Sequence, residues 1–287
     1  MSKTIALLSD FGDRDTYVGT MKGVILGISP DVHLVDITHN IDPQHVRQGA
    51  FMLGNVYHHF PQGTIFLVVI DPGVGSMRRP IALRGGGYTF VAPDNGVLSY
   101  VMDMLGQGEV VELLNTDYWL PEVSRTFHGR DIFAPVAAHL AAGVPLRELG
   151  DPPGPVVRLP KPQLDVNGKQ VTGEVMHIDH FGNITTSIGH LYWENEASLA
   201  LTPAFDDDLP GMQVGAESST VLLHKEVIYS IRASYSEALR GDLLAVVGSA
   251  GYLEVAVNQG NAAERLEVGV GDRVDLEIGE RDAAVSD

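Results

Sequence analysis

The stretch Ile65-Phe-Leu-Val-Val-Ile-Asp71-Pro-Gly-Val-Gly-Ser-Met-Arg78 decides how the fold is read. An unbroken apolar run ends on a carboxylate and passes into a glycine-rich turn that carries an arginine past it. Strands covered on both faces are apolar throughout, whereas half-exposed strands alternate. The run therefore reads as a buried parallel strand whose carboxyl end delivers Asp71 out of the core. In open α/β sheets ligands bind just outside those ends, so an acid there is well placed for chemistry. Taken alone, Asp-Pro-Gly is also ordinary turn chemistry, with proline fixing φ and glycine supplying φ > 0.

The same punctuation recurs in Ile5-Ala-Leu-Leu-Ser-Asp10-Phe-Gly12, Phe90-Val-Ala-Pro-Asp94-Asn-Gly96 and Val175-Met-His-Ile-Asp179-His-Phe-Gly-Asn183. One such ending is a turn, but four predict carboxylates gathered along one edge of a sheet. Around them the pattern alternates: strands at 4–10, 32–38, 64–71, 80–84 and 88–92, with helical periodicity at 16–29, 45–60, 96–105 and 131–143. That is an α/β domain with a mostly parallel sheet in Rossmann-like layers. From Asp151 to Pro162 the chain runs Asp-Pro-Pro-Gly-Pro-Val-Val-Arg-Leu-Pro-Lys-Pro, where the prolines remove backbone donors and bar regular structure. The expected division is an N-terminal domain over 1–155, a proline-rich linker over 156–164 and a C-terminal domain over 165–287. Short apolar runs at 171–178, 219–224, 243–247, 252–257 and 273–278 predict that the second domain is all-β and barrel-like. The acidic tail from Glu277 reads as frayed.

Bulk composition narrows the function. A 287-residue chain with 44% apolar residues can bury substantial cores. There is no cysteine, which removes disulfides and thiolate chemistry and fits a cytoplasmic setting. No stretch approaches the ~20 apolar residues of a membrane helix, and no basic-plus-apolar leader opens the chain. Lys+Arg of 19 against Asp+Glu of 37 gives a net charge of -18, which repels nucleic-acid phosphates and anionic lipid and favours a cationic or zwitterionic ligand.

Ser9-Asp-Phe-Gly-Asp-Arg-Asp-Thr-Tyr17 occupies the usual place of a nucleotide-binding turn but has neither G-x-G-x-x-G nor G-K-[ST]. Its acids suit ribose hydroxyls rather than phosphate, with Asp10 the ligand candidate and Asp13 or Asp15 a cap for the helix near Thr16. In Phe127-His-Gly-Arg-Asp131 a histidine that titrates near neutrality precedes a helix, with Asp131 placed to cap it. His39, His58, His59, His139 and His224 read as idle. Asp10, Asp13, Asp71 and His128 are possible metal donors, but no metal-binding spacing is present. Asn183 can donate to and accept from a base edge, and Glu254, set in an apolar strand, needs a cationic partner if it faces inward.

Together, Ser9-Asp-Phe-Gly12, Val69-Ile-Asp-Pro-Gly-Val-Gly75, Ala92-Pro-Asp-Asn-Gly96, Phe127-His-Gly-Arg-Asp131, Ile178-Asp-His-Phe-Gly-Asn183 and Gly251-Tyr-Leu-Glu-Val-Ala-Val-Asn258 resemble the S-adenosylmethionine (SAM) hydrolases, or SAM hydroxide adenosyltransferases. These adenosine-forming enzymes are related to the SAM-dependent fluorinase and chlorinase. The resemblance implies a homotrimer with each active site between the first domain of one subunit and the second of its neighbour. It implies attack at ribose C5′ with methionine leaving as a neutral thioether, no cofactor and no metal. The Asp-Arg-His set of the hydrolases matches Asp71, Arg78 and His128.

The halogenases carry tyrosine at the Asp71 position and serine at the Gly129 position, and the fluorinases a long loop where only Arg84-Gly-Gly-Gly-Tyr88 stands here. A carboxylate beside the attack path repels halide and orients water. By resemblance, Asp10, Asp15, Thr16 and Tyr17 bind substrate in the first domain, with Asp10 on the ribose diol. Asp179 and Ser249 take the methionine end and Asn183 with the backbone near Val257 and Asn258 the adenine, while the burial argument assigns Glu254 to the ammonium. Gln44, Thr185 and Ala250 depart from the fluorinase pattern. The rivals are a chlorinase-type halogenase, a metal-dependent hydrolase and a non-catalytic adenosine-binding module.

Overall fold

Residues 3–106, 108–205 and 208–279 are described in a computed structural model. The chain divides into two compact units, Met1–Leu159 and Pro160–Asp287.

The first unit is built on six strands: β1 (Thr4–Ser9), β2 (His33–Thr38), β3 (Ile65–Val69), β4 (Pro80–Gly85), β5 (Tyr88–Pro93) and β6 (Glu109–Glu112), in the order β2-β1-β3-β5-β4-β6. Neighbours from β2 through β5 run parallel, while β4 is antiparallel to both β5 and β6. The sheet is therefore mixed, with four parallel strands followed by an antiparallel edge. The cause is the Gly85-Gly86-Gly87 turn: Gly86 and Gly87 take φ of 56° and 86° and fold β4 straight back onto β5. β6 escaped the sequence pattern because four residues, two of them glutamates, carry almost no hydrophobic signal.

Every residue of β3 is buried. Ile65, Leu67 and Val69 pack into one core with residues of α1 (Tyr17–Ile28) and α4 (Ala134–Ala141), while Phe66, Val68 and Ile70 pack into another with residues of α2 (Val46–Val56) and α3 (Ser99–Leu105). This two-sided cover explains the unbroken apolar run. Each such side chain contributes about 1.5–3 kcal/mol on burial. It also fixes Asp71 as the first residue that can turn outward.

The expected caps of α1 and of the His128 helix are not observed. α1 begins after Thr16, with no side-chain cap, and Asp13 and Asp15 are exposed ahead of it. Asp131 lies inside a π-helical turn, Gly129–Phe133, that leads into α4. There it is wholly buried and accepts hydrogen bonds from the Ser124 amide at 2.8 Å and the Arg130 guanidinium at 2.5 Å.

The second unit is an 11-stranded, nearly barrel-like sheet: β7 (Leu164–Asn167), β8 (Gln170–Ile178), β9 (Ile184–Asn195), β10 (Ser198–Thr202), β11 (Met212–Gly215), β12 (Thr220–Leu223), β13 (Glu226–Tyr229), β14 (Ile231–Arg232), β15 (Leu243–Val247), β16 (Tyr252–Val257) and β17 (Arg273–Glu277). Its main path is β13-β12-β17-β8-β9-β16-β15-β14, and among the described residues only the β14/β15 pair is parallel. α5 (Ala262–Leu266) packs against β16. Glu277 ends β17, and the acidic tail read as frayed lies outside the described residues from Glu280 onward. Among the described residues no helix is long and apolar enough to cross a membrane.

Candidate active site

At the carboxyl end of β3, Asn95 donates from Nδ2 to the Ile70 carbonyl at 2.8 Å and pins the backbone just before Asp71. The turn that follows closes through Val74 N–H to Asp71 O at 3.2 Å and Ser76 N–H to Gly73 O at 3.0 Å. Within it Gly75 has φ 76°, and a Cβ there would overlap the Arg125 carbonyl oxygen. Glycine thus lets the turn lie directly against the segment that leads to His128.

The turn brings Arg78 back over Asp71. Arg78 Nε donates to both Asp71 oxygens at 2.9 Å and Nη2 reaches Oδ2, with the side chains only 9% and 5% exposed. Arg78 Nη2 also lies 2.7 Å from His128 Nδ1. A guanidinium can only donate, so Nδ1 is the acceptor and the ring proton of neutral His128 sits on Nε2. Burial, then the Arg78 charge, lowers the His128 pKa below the ordinary 6.5, against smaller raising effects from Asp71 and Asp131. Phe133, at the far end of the π-helical turn, places its ring under the guanidinium, 5.1 Å from Cζ. The result is a partly buried, charge-balanced acid-guanidinium-imidazole set.

Asp10 follows β1, and β1, β3 and β5 are adjacent parallel strands. Asp10, Asp71 and Asp94 therefore do share one sheet edge, whereas Asp179 belongs to the second unit. Asp94 is not a ligand candidate: Oδ2 accepts from Arg79 Nε at 2.9 Å and Oδ1 from the Val157 amide at 2.8 Å, fastening the start of the proline-rich stretch. Asp10 is partly exposed and uses Oδ2 to accept from the Gln44 amide at 2.8 Å. Asp15, Thr16 and Tyr17 line the exposed entry to α1, where Tyr17 packs with Phe11 and Phe127 at ring separations of 5.5 and 5.1 Å. Two histidines taken as idle are bonded: His39 is buried between Ser9 and Asp36, and His224 lies 3.1 Å from both Leu266 O and Asp272 Oδ2.

In the second unit a cavity of about 700 Å³ is lined by Asp179, Asn183, Ser249, Glu254, Val257 and Asn258, which brings together all the site residues predicted there. Tyr235, Phe181 and Gln259 also line it and were not anticipated. Tyr235 comes from a short 3-10 turn with no periodic signal. Asp179 Oδ1 accepts from the Phe181 and Asn183 amides at 2.8 Å, and Oδ2 from Asn183 Nδ2 at 2.9 Å. That last bond fixes the Asn183 side-chain amide against Asp179. Glu254 is half-buried and accepts from hydroxyls only: Tyr235 at 3.3 Å and Thr185 at 3.5 Å. Burial, then the charge of Asp179, raises its pKa above the ordinary carboxylate range. Two acids without a lysine or arginine in the cavity lining suit a cationic ligand. Among the described residues no group of three or more His, Asp or Glu could hold a metal ion.

Comparison with known proteins identifies the family. The family model of the SAM hydroxide adenosyltransferase N-terminal domain matches residues 5–150, and that of the C-terminal domain matches residues 173–275. The chain belongs to the SAM hydroxide adenosyltransferase family. Among members of this family, the (R)-S-adenosyl-L-methionine hydrolase of Salinispora arenicola is 38% identical, over 96% of this chain and 98% of that protein. A fluorinase from an Actinoplanes species is 31% identical over 88% and 90%. An uncharacterized conserved protein from Thermotoga maritima has the same structure at a TM-score of 0.83 and 36% identity, covering 95% of this chain and 99% of that one.

Proposed function

We propose that this SAM hydroxide adenosyltransferase hydrolyses SAM to adenosine and L-methionine, with Asp71, Arg78 and His128 placing a water against ribose C5′. The water oxygen bonds to C5′, the C5′–S bond breaks, its electron pair stays on sulfur, and the water proton passes to Asp71 and then to solvent. Attack on a sulfonium cation neutralises charge, so a fixed, partly desolvated acid-guanidinium set favours the transition state. The observation that carries this reading is the hydrogen bond from Arg78 to His128 Nδ1. It occupies the imidazole lone pair and leaves the Asp71 carboxylate as the proton acceptor, with His128 holding Arg78 in place.

In this reading Asp10, with Asp15, Thr16 and Tyr17 around it, receives the ribose. Asn183 and the backbone near Val257 and Asn258 take adenine, and Asp179, Ser249 and Glu254 the methionine end. The two sets come from neighbouring subunits of a homotrimer, and no cofactor takes part. Because L already fixes the α-carbon, the R in the relatives' name makes sulfonium configuration the variable to examine. The test is chromatography after incubation with each sulfonium epimer of SAM, with and without chelator and in high chloride. Adenosine plus methionine supports hydrolysis. Chlorodeoxyadenosine would establish a halogenase instead, chelator-sensitive turnover a metal enzyme, and adenosine binding without turnover a binding module.

A further inference from the structure

We propose that His39 is a positioning residue for the ribose site: with buried Ser9 on one side and surface Asp36 and Lys22 on the other it forms a relay that fixes the Asp10 turn. The proposal rests on Asp10 as the ribose ligand. Ser9 and His39 are 1% and 8% exposed, and Ser9 Oγ lies 2.7 Å from His39 Nδ1. His39 Nε2 lies 3.0 Å from Asp36 Oδ1, and Lys22 Nζ, on α1, 2.5 Å from Asp36 Oδ2. The donors run one way. Burial alone would raise the Asp36 pKa, but hydrogen bonds from Lys22 and His39 outweigh it and hold the carboxylate ionised. Ionised Asp36 can only accept, so His39 donates from Nε2, its Nδ1 accepts from the Ser9 hydroxyl, and Ser9 Oγ takes the Phe11 amide at 3.4 Å.

The His39 backbone adds a second hold, its carbonyl accepting from the Gly12 amide at 2.7 Å. The Ser9 side chain before Asp10 and the Gly12 amide after it are thus tied to one residue, which fixes the turn that carries the Asp10 carboxylate. A break in register between Leu7 and Leu8 in the β1/β2 ladder lies immediately before Ser9, where the two strand ends are drawn together. The order Ser-His-Asp resembles a hydrolytic triad, but a nucleophile must reach its substrate. Ser9 is sealed from any ligand, so the relay positions and does not react.

The test measures adenosine affinity by calorimetry, together with KM and kcat for SAM, in the full-length protein. His39→Leu removes both ring contacts and should weaken adenosine binding and raise KM about tenfold while kcat changes little. His39→Asn keeps an acceptor near the Nδ1 position and should recover much of that loss. Methionine affinity should stay the same in both, which a general loss of structure would not allow. If His39→Leu does not fold, Ser9→Ala reads the same link and should shift adenosine affinity in the same direction. Unchanged adenosine affinity in whichever of these variants folds, alongside a large loss in Asp10→Ala, overturns the relay. A wild-type protein that neither binds adenosine nor turns over SAM refutes the ribose assignment itself, and the relay's role with it.

Discussion

Asp71 and Glu254 are both acids near the core, and their surroundings give them opposite tasks. Asp71 is matched by the Arg78 guanidinium, which holds both of its oxygens in place. Asp71→Asn keeps the shape and removes the proposed proton acceptor, and is expected to lower kcat by about 10²–10⁴ with a much smaller change in KM; near-normal turnover would remove Asp71 from the mechanism. His128 sets the acid side. Its pKa is lowered, so the unfolded chain takes up the proton first, and the stability its neutral form contributes is complete above 6.5 and lost as pH falls from there through the folded value. Activity is therefore expected to persist below 6.5, and His128→Asn, whose side-chain oxygen accepts from Arg78 without titrating, should abolish the histidine step in the acid limb; a limb that does not move belongs to another group. Glu254 has the reverse sign. Its pKa is raised, the folded state holds the proton more tightly, and stability falls as pH rises through the window above the ordinary carboxylate value. Glu254→Gln should raise the melting temperature near neutral pH yet weaken SAM binding, and a variant that melts lower while binding normally would count against an ammonium site. The residue types were legible in sequence: an acid at a strand end, a histidine ahead of a helix and an acid within an apolar strand. Partnering was not: that Asp94 is fully bonded while Asp10 is partly exposed depends on Arg79 and Val157, which no local pattern connects to it.

Among the elements, the π-helical turn Gly129–Phe133 does most to assemble the first set. It starts just after His128 and ends on Phe133, so one element offers Arg78 both an acceptor and an aromatic face. Such turns are rare and cluster at functional sites. The sequence shows only helical periodicity from Asp131 onward, because one extra residue per turn leaves too short a trace to read. The same limit hid β9, the longest strand, whose Ile-Thr-Thr-Ser-Ile opening is buried but polar. Buried Thr186 and Ser187 there bond to backbone, Thr186 Oγ1 to Leu253 O at 2.9 Å and Ser187 Oγ to Gln163 O at 2.6 Å, so burial and hydropathy part company. At the head of the π-helical turn, a Cβ on Gly129 would come within 3.0 Å of Met21 Sδ, 3.3 Å of Phe127 and 3.4 Å of Phe11. Gly129→Ser, which installs the halogenase residue type, is thus expected to cost about 1–3 kcal/mol by overpacking and to lower the melting temperature without conferring halide chemistry. A stable variant that forms chlorodeoxyadenosine would show that Gly129, rather than Asp71, selects the nucleophile.

For the molecule as a whole, the two sets of residues lie in different units, Asp71 with its partners in Met1–Leu159 and the Asp179 cavity in Pro160–Asp287. The proposed trimer draws each working site from two subunits, and this can be tested without measuring assembly at all. Asp71→Asn disables only the first set and Asp179→Ala only the second, so each homotrimer should be inactive or nearly so. When equal amounts are unfolded together and refolded, a site is intact only where an Asp179→Ala subunit supplies its first unit and an Asp71→Asn neighbour its second. These are two independent one-in-two events, so about a quarter of wild-type activity should return on closing a cyclic trimer. Sites contained within one chain would recover nothing from the same mixture, because every chain carries one damaged set. Refolding each variant alone controls for reactivation unrelated to mixing. Recovered activity should also fall on dilution below the assembly constant, since sites shared between subunits vanish with the interface. The opening feature of the sequence, an apolar strand ending on an acid, thereby leads to a prediction about stoichiometry: half a site per chain end, completed only by a neighbour.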